Sequence, residues 1–266
     1  MKKKKLISII ITNYNKEKFI KKCLLSSLNQ NYKNFEIILF DDRSTDNSLE
    51  IIKKFKKIRL IKNRFKNKNY SSPQNQIHGI MKSFQLSKGK IICLLDADDI
   101  FDKKKLSKVH DFFNTNKEKK FLVNYPHIKN KNFIVKNLHL KQSKWPTVFP
   151  TSCISFRRIF FKKFLQNIKK NDYSNLEIDA RLAIYSNSFL NDFNIIKNKL
   201  TNYTIDSTGI SSKYPKFSIN WWTKRYEAFQ YLRFILKKKK KQFIISYDYY
   251  FTMLIFVLLN LFKKNN

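Results

Sequence analysis

Glycine, proline and cysteine are all scarce in this chain of 266 residues, which has three, five and three of them respectively. The shortage of glycine leaves no glycine-rich loop after the first apolar segment, and this argues against a nucleotidyltransferase. Cys23, Cys93 and Cys153 lie far apart without C-x-x-C spacing, which excludes a zinc site or a disulfide framework. We interpret them as buried thiols of a protein in a reducing compartment.

Acidic residues are also few, because 55 lysines and arginines face only 19 aspartates and glutamates, for a net charge of +36. A basic surface can bind phosphates of nucleic acids. The lysines are spread over the whole chain, however, and no nucleic-acid-binding module is recognisable. We therefore predict no nucleic-acid partner, and an anionic membrane surface or an anionic glycan or nucleotide substrate instead.

Long apolar runs are rare. Residues 6–11 are too short for the apolar core of a secretory signal and lack a cleavage site, so we expect a first strand and a cytoplasmic protein. Residues 217–236 are aromatic and amphipathic, 237–241 are all lysine, and 243–262 are mostly apolar. This order suits a helical extension that lies on an anionic membrane, at the inner face of the cytoplasmic membrane. The alternative is a helix packed on the main domain beside a solvated lysine loop.

The first hundred residues alternate short apolar runs with amphipathic segments, as α/β proteins do. Because the runs show no alternating polarity, we expect strands buried on both faces of a mostly parallel, Rossmann-like central sheet with helices on both sides. The second half is less regular. The predicted strands are 6–12, 35–40, 58–61, 91–95, 121–125 and 133–138; the helices are 19–28, 49–55, 77–84, 104–113, 157–168 and 176–189; and residues 63–76 form a loop.

Polar clusters follow each of the first four strands, where a parallel sheet binds its ligands. The most unusual is Asp96-Ala97-Asp98-Asp99, whose crowded carboxylates repel one another unless a cation neutralises them. Asp96 and Asp98 leave the strand on the same side, so both can address one metal ion. Oxygen ligands favour Mg²⁺ or Mn²⁺.

Three segments together resemble the family 2 glycosyltransferases: Ser-Ile-Ile-Ile-Thr-Asn-Tyr-Asn at 8–15, Asp-Asp-Arg-Ser-Thr-Asp at 41–46 and Leu-Asp-Ala-Asp-Asp at 95–99. They occur in the family's order over about the first 110 residues. The resemblance implies a GT-A fold, a nucleotide-diphospho-sugar donor, a UDP-sugar by preference, and inversion at the anomeric carbon. It divides the chain into a GT-A domain at 1–215, with a donor half at 1–110 and an acceptor half at 111–215, and a C-terminal extension at 216–266.

The resemblance also assigns roles to residues. Thr12 and Tyr14 match the positions that hold the nucleoside, Asp42 matches the carboxylate that accepts from the uracil ring, and Asp41 lies beside it. Asp96 and Asp98 match the Asp-x-Asp motif, which holds Mn²⁺ or Mg²⁺ against the donor diphosphate. As an alternative, the acidic and hydroxyl side chains of 42–46 only cap the next helix.

Inverting transfer needs a base for the acceptor hydroxyl, and Asp179-Ala180-Arg181 resembles the family's acidic motif on the acceptor side. We predict Asp179 as the base, with its pKa raised by a partly closed crevice. On a helix, Glu177 and Asp179 would point in different directions. Asp179 could instead be an ordinary exposed helix carboxylate.

These assignments predict a metal-dependent glycosyltransferase that transfers a sugar to a hydroxyl of a glycan or lipid-linked acceptor in cell-surface polysaccharide synthesis. The alternative is a non-catalytic protein that binds nucleotide sugars or membranes and has lost acceptor chemistry.

Overall fold

A sheet of eight strands organises the part of the chain that the structure describes. The computed structural model describes residues 5–64, 70–134, 147–167 and 173–264. The order across the sheet is β3-β2-β1-β4-β7-β6-β8-β5. The strands are β1 (Ile7–Asn13), β2 (Phe35–Asp41), β3 (Ile58–Lys62), β4 (Ile91–Asp96), β5 (Ile100–Phe101), β6 (Phe121–Ile128), β7 (Ile154–Arg157) and β8 (Asn194–Tyr203). The helices are α1 (Glu17–Leu28), α2 (Ser48–Lys53), α3 (Ser72–Leu86), α4 (Lys105–Thr115), α5 (Arg158–Asn167), α6 (Ile178–Ile184), α7 (Ile219–Lys238) and α8 (Tyr247–Lys264).

The strands β3, β2, β1 and β4 are parallel to one another, as the sequence predicts, and β7 pairs with β4 in the antiparallel direction. Successive side chains of a strand point to opposite faces, and here both faces are covered. Ile9 packs among residues of α1, α2 and α4, whereas Ile10 packs among residues of α3, α5, α6 and α7. This double burial explains why the apolar runs of the sequence show no alternation.

The second half of the sheet departs from the sequence-based prediction. The predicted strand at 121–125 is present as the start of β6, whereas β5, β7 and β8 were not predicted. Of the predicted strand at 133–138, residues 135–138 lie outside the described residues, and 133–134 have no regular structure. The predicted helix at 176–189 begins at Ile178 and changes into a π-helical turn at Tyr185.

The loop predicted at 63–76 was wrong at its end, because α3 already begins at Ser72. A capping box starts this helix: the amide of Gln74 donates to the hydroxyl of Ser71, and the amide of Ser71 donates to the side chain of Gln74. Such reciprocal bonds satisfy donors that an unfinished helix end leaves free. The four-residue pattern Ser-x-x-Gln was the signal, and the polar composition concealed it.

Of the two C-terminal helices, α7 packs against the domain and α8 packs against α7. Tyr231 and Leu232 of α7 belong to the core beneath the sheet, and α8 packs on α7, where the rings of Tyr226 and Phe256 stack at 3.8 Å. Across the described ranges, no helix combines the length and apolarity needed to cross a membrane. α7 thus packs on the domain, and α8 forms a second layer on α7.

Candidate functional site

A cleft of about 390 Å³ lies at the carboxyl ends of β1, β2 and β4. This volume is typical of small-molecule sites. The polar segments after β1, β2 and β4 line this one cleft, and α3, α6 and the loop after β8 close the other sides. The lining includes Thr12, Tyr14, Lys16, Asp42, Arg43, Asn75, Gln76, Asp96, Asp98, Glu177, Asp179, Asp206, Thr208 and Lys213.

Asp96 ends β4 at the floor of the cleft. Its Oδ1 accepts hydrogen bonds from the hydroxyl of Thr12 at 3.2 Å and from the side-chain amide of Gln76 at 2.8 Å. Its own backbone amide donates to the hydroxyl of Ser152 at 2.9 Å. Burial, together with the charge of Asp98, raises the pKa of Asp96 to about 7. The site therefore holds a carboxylate that costs free energy to ionise without a nearby cation.

Asp98 pairs with an ammonium group from the neighbouring strand end. Lys16 Nζ lies 2.9 Å from Asp98 Oδ2 and also pairs with Asp206 on the loop after β8. Burial raises the pKa of Asp206, but hydrogen bonds from Lys16 and Thr208 outweigh it and hold that pKa at about 2. One half-buried lysine thus joins the ends of β1 and β4 and the loop after β8.

The carboxylates of Asp96 and Asp98 fit a Mg²⁺ or Mn²⁺ ion of the kind that also binds substrate phosphates. Such ions take one or two protein carboxylates and complete their coordination with phosphate oxygens and water. Within the described part of the chain, no three His, Cys, Asp or Glu side chains come together to hold a metal ion by themselves. The ammonium of Lys16 beside Asp98 shows that a cation is accommodated at this position.

The neighbouring carboxylates Asp41 and Asp42, at the end of β2, have different surroundings. Asp41 is 1% exposed, and it accepts from Asn13 Nδ2 at 2.8 Å and from the amide of Ser44 at 3.0 Å. Asp42 lines the cleft, accepts from Asn63 Nδ2 at 2.8 Å and pairs with Arg43 at 3.2 Å. Asp41 therefore holds the loop after β2 in shape, and Asp42 presents its carboxylate to the cleft.

Helix capping in this loop falls to another residue. Asp46 Oδ1 accepts from the amide of Ser48 in the first turn of α2 at 3.0 Å, and its Oδ2 accepts from the amide of Glu17 at 2.9 Å. Asp42 makes neither bond. The alternative of a helix cap thus applies to Asp46 and leaves Asp42 for the cleft. Tyr14 lines the cleft at the neighbouring end of β1 and is 56% exposed, so its ring is accessible for stacking on a ligand.

Asp179 and Glu177 both line the cleft, which corrects the expectation that they would point in different directions. Glu177 precedes α6 in an extended conformation, so the helical spacing does not apply to this pair. Burial raises the pKa of Asp179 to about 8, and the charge of Glu177 adds to the rise. Glu177 itself pairs with Lys224 of α7 at 2.9 Å. Asp179 is half-buried in the cleft wall and is not an ordinary exposed helix carboxylate.

The cleft is also lined by residues that were not predicted from the sequence: Lys16, Gln76 and the loop residues Asp206, Thr208 and Lys213. Lys16 directly follows the Thr-Asn-Tyr-Asn segment, so its position was a signal. The loop gave none, because 190 residues separate Lys16 from Asp206 in the chain. Lys213 fixes the far end of the loop by donating from Nζ to the hydroxyl of Ser72 at 2.7 Å.

The parallel half-sheet, the carboxylate pair that ends β4 and the cleft beside it define an α/β protein of the GT-A class. S. aureus TarS in complex with UDP-GlcNAc has this fold, with a TM-score of 0.64 over 94% of this chain and 71% of that one at 15% identity. A mannosyltransferase from Pyrobaculum calidifontis, solved with GDP-Man and Mn²⁺, gives a TM-score of 0.62 over 89% of this chain and 64% of that one at 12% identity.

The chain belongs to glycosyl transferase family 2, whose sequence model matches residues 8–185. An uncharacterized glycosyltransferase of Haemophilus influenzae is 40% identical over 117 residues, which are 42% of this chain and 43% of that protein. The Escherichia coli UDP-Glc:alpha-D-GlcNAc-diphosphoundecaprenol beta-1,3-glucosyltransferase WfaP is 39% identical over 114 residues, which are 42% of this chain and 43% of that protein. These matches span less than half of the curated relatives.

Proposed function

We propose that this protein is a metal-dependent inverting glycosyltransferase. It moves a sugar from a UDP-sugar to a hydroxyl of a glycan or lipid-linked acceptor in cell-surface polysaccharide synthesis. It works at the cytoplasmic face of the membrane, in peripheral contact with anionic lipid. The observation that carries the proposal is one cleft that holds the carboxylate pair Asp96 and Asp98 together with Asp179, a half-buried carboxyl whose pKa is raised to about 8.

The donor nucleoside binds between the ends of β1 and β2 in this proposal. Tyr14 stacks on the base or ribose, Asp42 accepts from the uracil ring, and Thr12 lies between the nucleoside and Asp96. Asp41 acts indirectly, because it holds the loop that carries Asp42. The E. coli relative is named for a UDP-glucose donor, and TarS was solved with UDP-GlcNAc. Both names support a UDP-sugar here.

The metal ion and the diphosphate belong beside Asp96 and Asp98. When bound there, Mg²⁺ or Mn²⁺ supplies positive charge against the negative charge that grows on the departing diphosphate. Lys16 and Lys213 are cationic side chains of the same cleft, and they can bind diphosphate oxygens directly. Lys16 is paired with Asp98 and Asp206, so donor binding has to exchange these partners for phosphate.

The acceptor hydroxyl is placed next to Asp179. The carboxylate takes the hydroxyl proton as the oxygen attacks the anomeric carbon from the face opposite the diphosphate, and inversion follows from that geometry. A carboxyl with a raised pKa is a stronger base than a solvated one once it is ionised. Glu177 supports this role, because its charge contributes to the raised pKa of Asp179.

The acceptor class rests on the relatives. One is named for a GlcNAc-diphosphoundecaprenol acceptor, and a Bacillus spizizenii relative, 33% identical over 116 residues, is named a poly(ribitol-phosphate) beta-glucosyltransferase. A phosphate-bearing lipid or polymer also suits a chain with a net charge of +36.

The rate should depend on pH through Asp179. Only the ionised carboxylate accepts a proton, and its pKa is about 8. With divalent cation saturating, kcat/KM should therefore rise about tenfold per pH unit up to about pH 8 and then level off. In Glu177→Gln the midpoint should move to lower pH, because a like charge beside Asp179 is removed. A flat profile between pH 6 and 8.5 would contradict the assignment.

A thermal-shift screen of nucleotide sugars tests the donor proposal. A UDP-sugar at 100 times its Kd, with Mn²⁺, should raise Tm by about 5–10 °C, because a ligand of the folded state stabilises it by about 2.7 kcal/mol. Chelation with EDTA should remove most of the shift. Product analysis with an acceptor should then show release of UDP. Release of pyrophosphate would identify a nucleotidyltransferase, and a donor shift with no turnover under any acceptor would favour a non-catalytic binding protein.

A further inference from the structure

An exposed apolar stripe runs along the outer face of α8. Its side chains are between 43% and 61% exposed, which is unusual for so many large apolar groups on one helix. Their positions recur at helical spacing, so they form one continuous face. The stripe consists of Tyr250, Phe251, Leu254, Val257, Leu258 and Leu261.

The opposite face of α8 is packed on α7, so the helix has a defined position in the fold and the stripe is a surface of the folded protein. Thr252 is fully buried against α7 and accepts from Arg225 Nε at 3.0 Å. The hydroxyl of Tyr249 accepts from Arg233 Nη1 at 2.9 Å. α8 is therefore held to the domain on one side and presents apolar side chains on the other.

A basic recess lies beside the start of α8, at the end of α7. It has a volume of about 680 Å³ and combines four cationic side chains with aromatic rings. The ammonium groups of lysine and the guanidinium group of arginine can bind a phosphate group in such a recess. Aromatic rings favour the boundary between lipid headgroups and acyl chains. Its lining includes Arg233, Lys237, Lys240, Lys241, Phe234 and Phe243.

We infer that the apolar stripe of α8 and the basic recess form one docking surface for a bilayer that contains anionic phospholipid. The stripe enters the boundary between headgroups and acyl chains, and the recess binds lipid phosphates. With 18 residues, α8 is about 27 Å long and lies in the plane of the surface. This is consistent with the lack of a helix fit to span a membrane in the described residues.

Charge decides between a bilayer and a second copy of the chain as the occupant. Each copy carries a net charge of +36, so a contact through α8 would bring two strongly basic chains together. Repulsion opposes such a dimer, whereas an anionic leaflet attracts each nearby lysine by about 1 kcal/mol. A nucleic acid would match the charge but would leave the apolar stripe uncovered.

The docking surface is connected to the acceptor side of the cleft through α7. Lys224 of this helix pairs with Glu177 in the cleft wall, and α8 packs on the same helix through Arg225 and Tyr226. When the protein is docked, the acceptor side of the cleft is therefore held next to α7 and α8, the two helices that contact the lipid. This consequence for a lipid-linked acceptor rests on the proposed function, whereas the lipid binding itself does not.

Vesicle co-sedimentation of the full chain tests the inference. In 100 mM NaCl, the protein should bind vesicles of phosphatidylcholine with about 30% phosphatidylglycerol at least about 100-fold more tightly than phosphatidylcholine alone. Replacing Lys237, Lys240 and Lys241 by Gln should weaken binding about 100-fold, since each lysine contributes about fivefold. The matched control replaces the exposed Lys54, Lys56 and Lys57 by Gln and should change binding less than twofold.

The apolar stripe has its own pair of variants. Leu254, Leu258 and Leu261 replaced by Gln should weaken vesicle binding at least tenfold, because buried apolar area is lost. The same change at Leu25, Leu86 and Ile159, which are exposed on other helices, should leave it within twofold.

Three results would overturn the inference. The protein binds both vesicle types equally or binds neither of them; the variants and their controls lose binding equally; or the protein is a dimer in solution that the α8 variant dissociates. The donor-induced thermal shift without vesicles is independent of all three. A failed vesicle experiment with an intact donor shift therefore refutes the docking surface and the proposed lipid contact but leaves glycosyl transfer standing. Vesicle binding without a donor shift refutes glycosyl transfer and leaves the docking surface standing.

Discussion

Replacing Asp179 by Asn is expected to lower kcat about a thousandfold and at the same time to raise the thermal stability of the protein. The loss of rate follows because asparagine cannot take the proton of the acceptor hydroxyl. The gain in stability follows because burial raises the pKa of Asp179 to about 8, so the folded state resists its ionisation. Steady-state kinetics and thermal unfolding of the same sample at pH 8.5 measure both effects.

The sign of the stability effect depends on pH. The folded-state pKa of Asp179, about 8, lies above its ordinary value of 3.8, so the native protein loses stability as pH rises between these values. The asparagine variant lacks this loss. The difference in Tm between the two proteins should therefore grow from pH 5 to pH 8.5 and reach about 3 °C or more.

Glu177→Gln is the matched control, since it removes a carboxylate from the same cleft wall two residues away. It should reduce kcat by about tenfold or less, because it acts only through the pKa of Asp179. Donor binding, read as the thermal shift with a UDP-sugar and Mn²⁺, should be unchanged in Asp179→Asn. An Asp179→Asn protein that turns over at a rate within tenfold of the wild type would show that another group is the base.

The first half of the fold could be predicted from sequence for a physical reason. β1, β2 and β4 are buried on both faces, so their apolar runs are continuous and stand apart from the helices between them. β7 has four residues, and β8 reads Asn-Ile-Ile-Lys-Asn-Lys-Leu-Thr-Asn-Tyr with three exposed positions in a row. A short strand and a polar one lack the periodicity that identifies a strand from local sequence.

The candidate site divides in the same way. Thr12, Asp42, Asp96 and Asp98 follow recognisable strands, so the topology of a parallel sheet brings them to one edge. The contacts of Lys16 with Asp206, and of Lys213 with Ser72, join segments 190 and 141 residues apart. No local pattern encodes such pairs. The side chain of Glu177 lines the cleft because Glu177 precedes α6 and is extended. The sequence placed this residue inside a helix, so its direction could not be predicted.

Asp98→Asn is expected to lower kcat/KM about a thousandfold, with most of the loss traceable to the divalent cation. An amide oxygen is a weaker ligand than a carboxylate, and the departing diphosphate would lose several kcal/mol of stabilisation. The fold should persist, because Asp98 lies at the cleft mouth with its side chain 15% exposed. The measurements are initial rates across a Mn²⁺ titration, together with the thermal shift that UDP produces with and without Mn²⁺.

Asp102→Asn is the control, because it removes a carboxylate four residues further on. Asp102 Oδ1 accepts from the amide of Lys104 at 2.8 Å at the start of α4, and asparagine can keep that bond. This variant should retain the wild-type rate within about threefold, whereas Asp98→Asn should also lose the Mn²⁺-dependent part of the thermal shift. Metal-dependent donor turnover that survives intact in purified Asp98→Asn would refute the role given to Asp98 and, with it, the proposed site of the diphosphate.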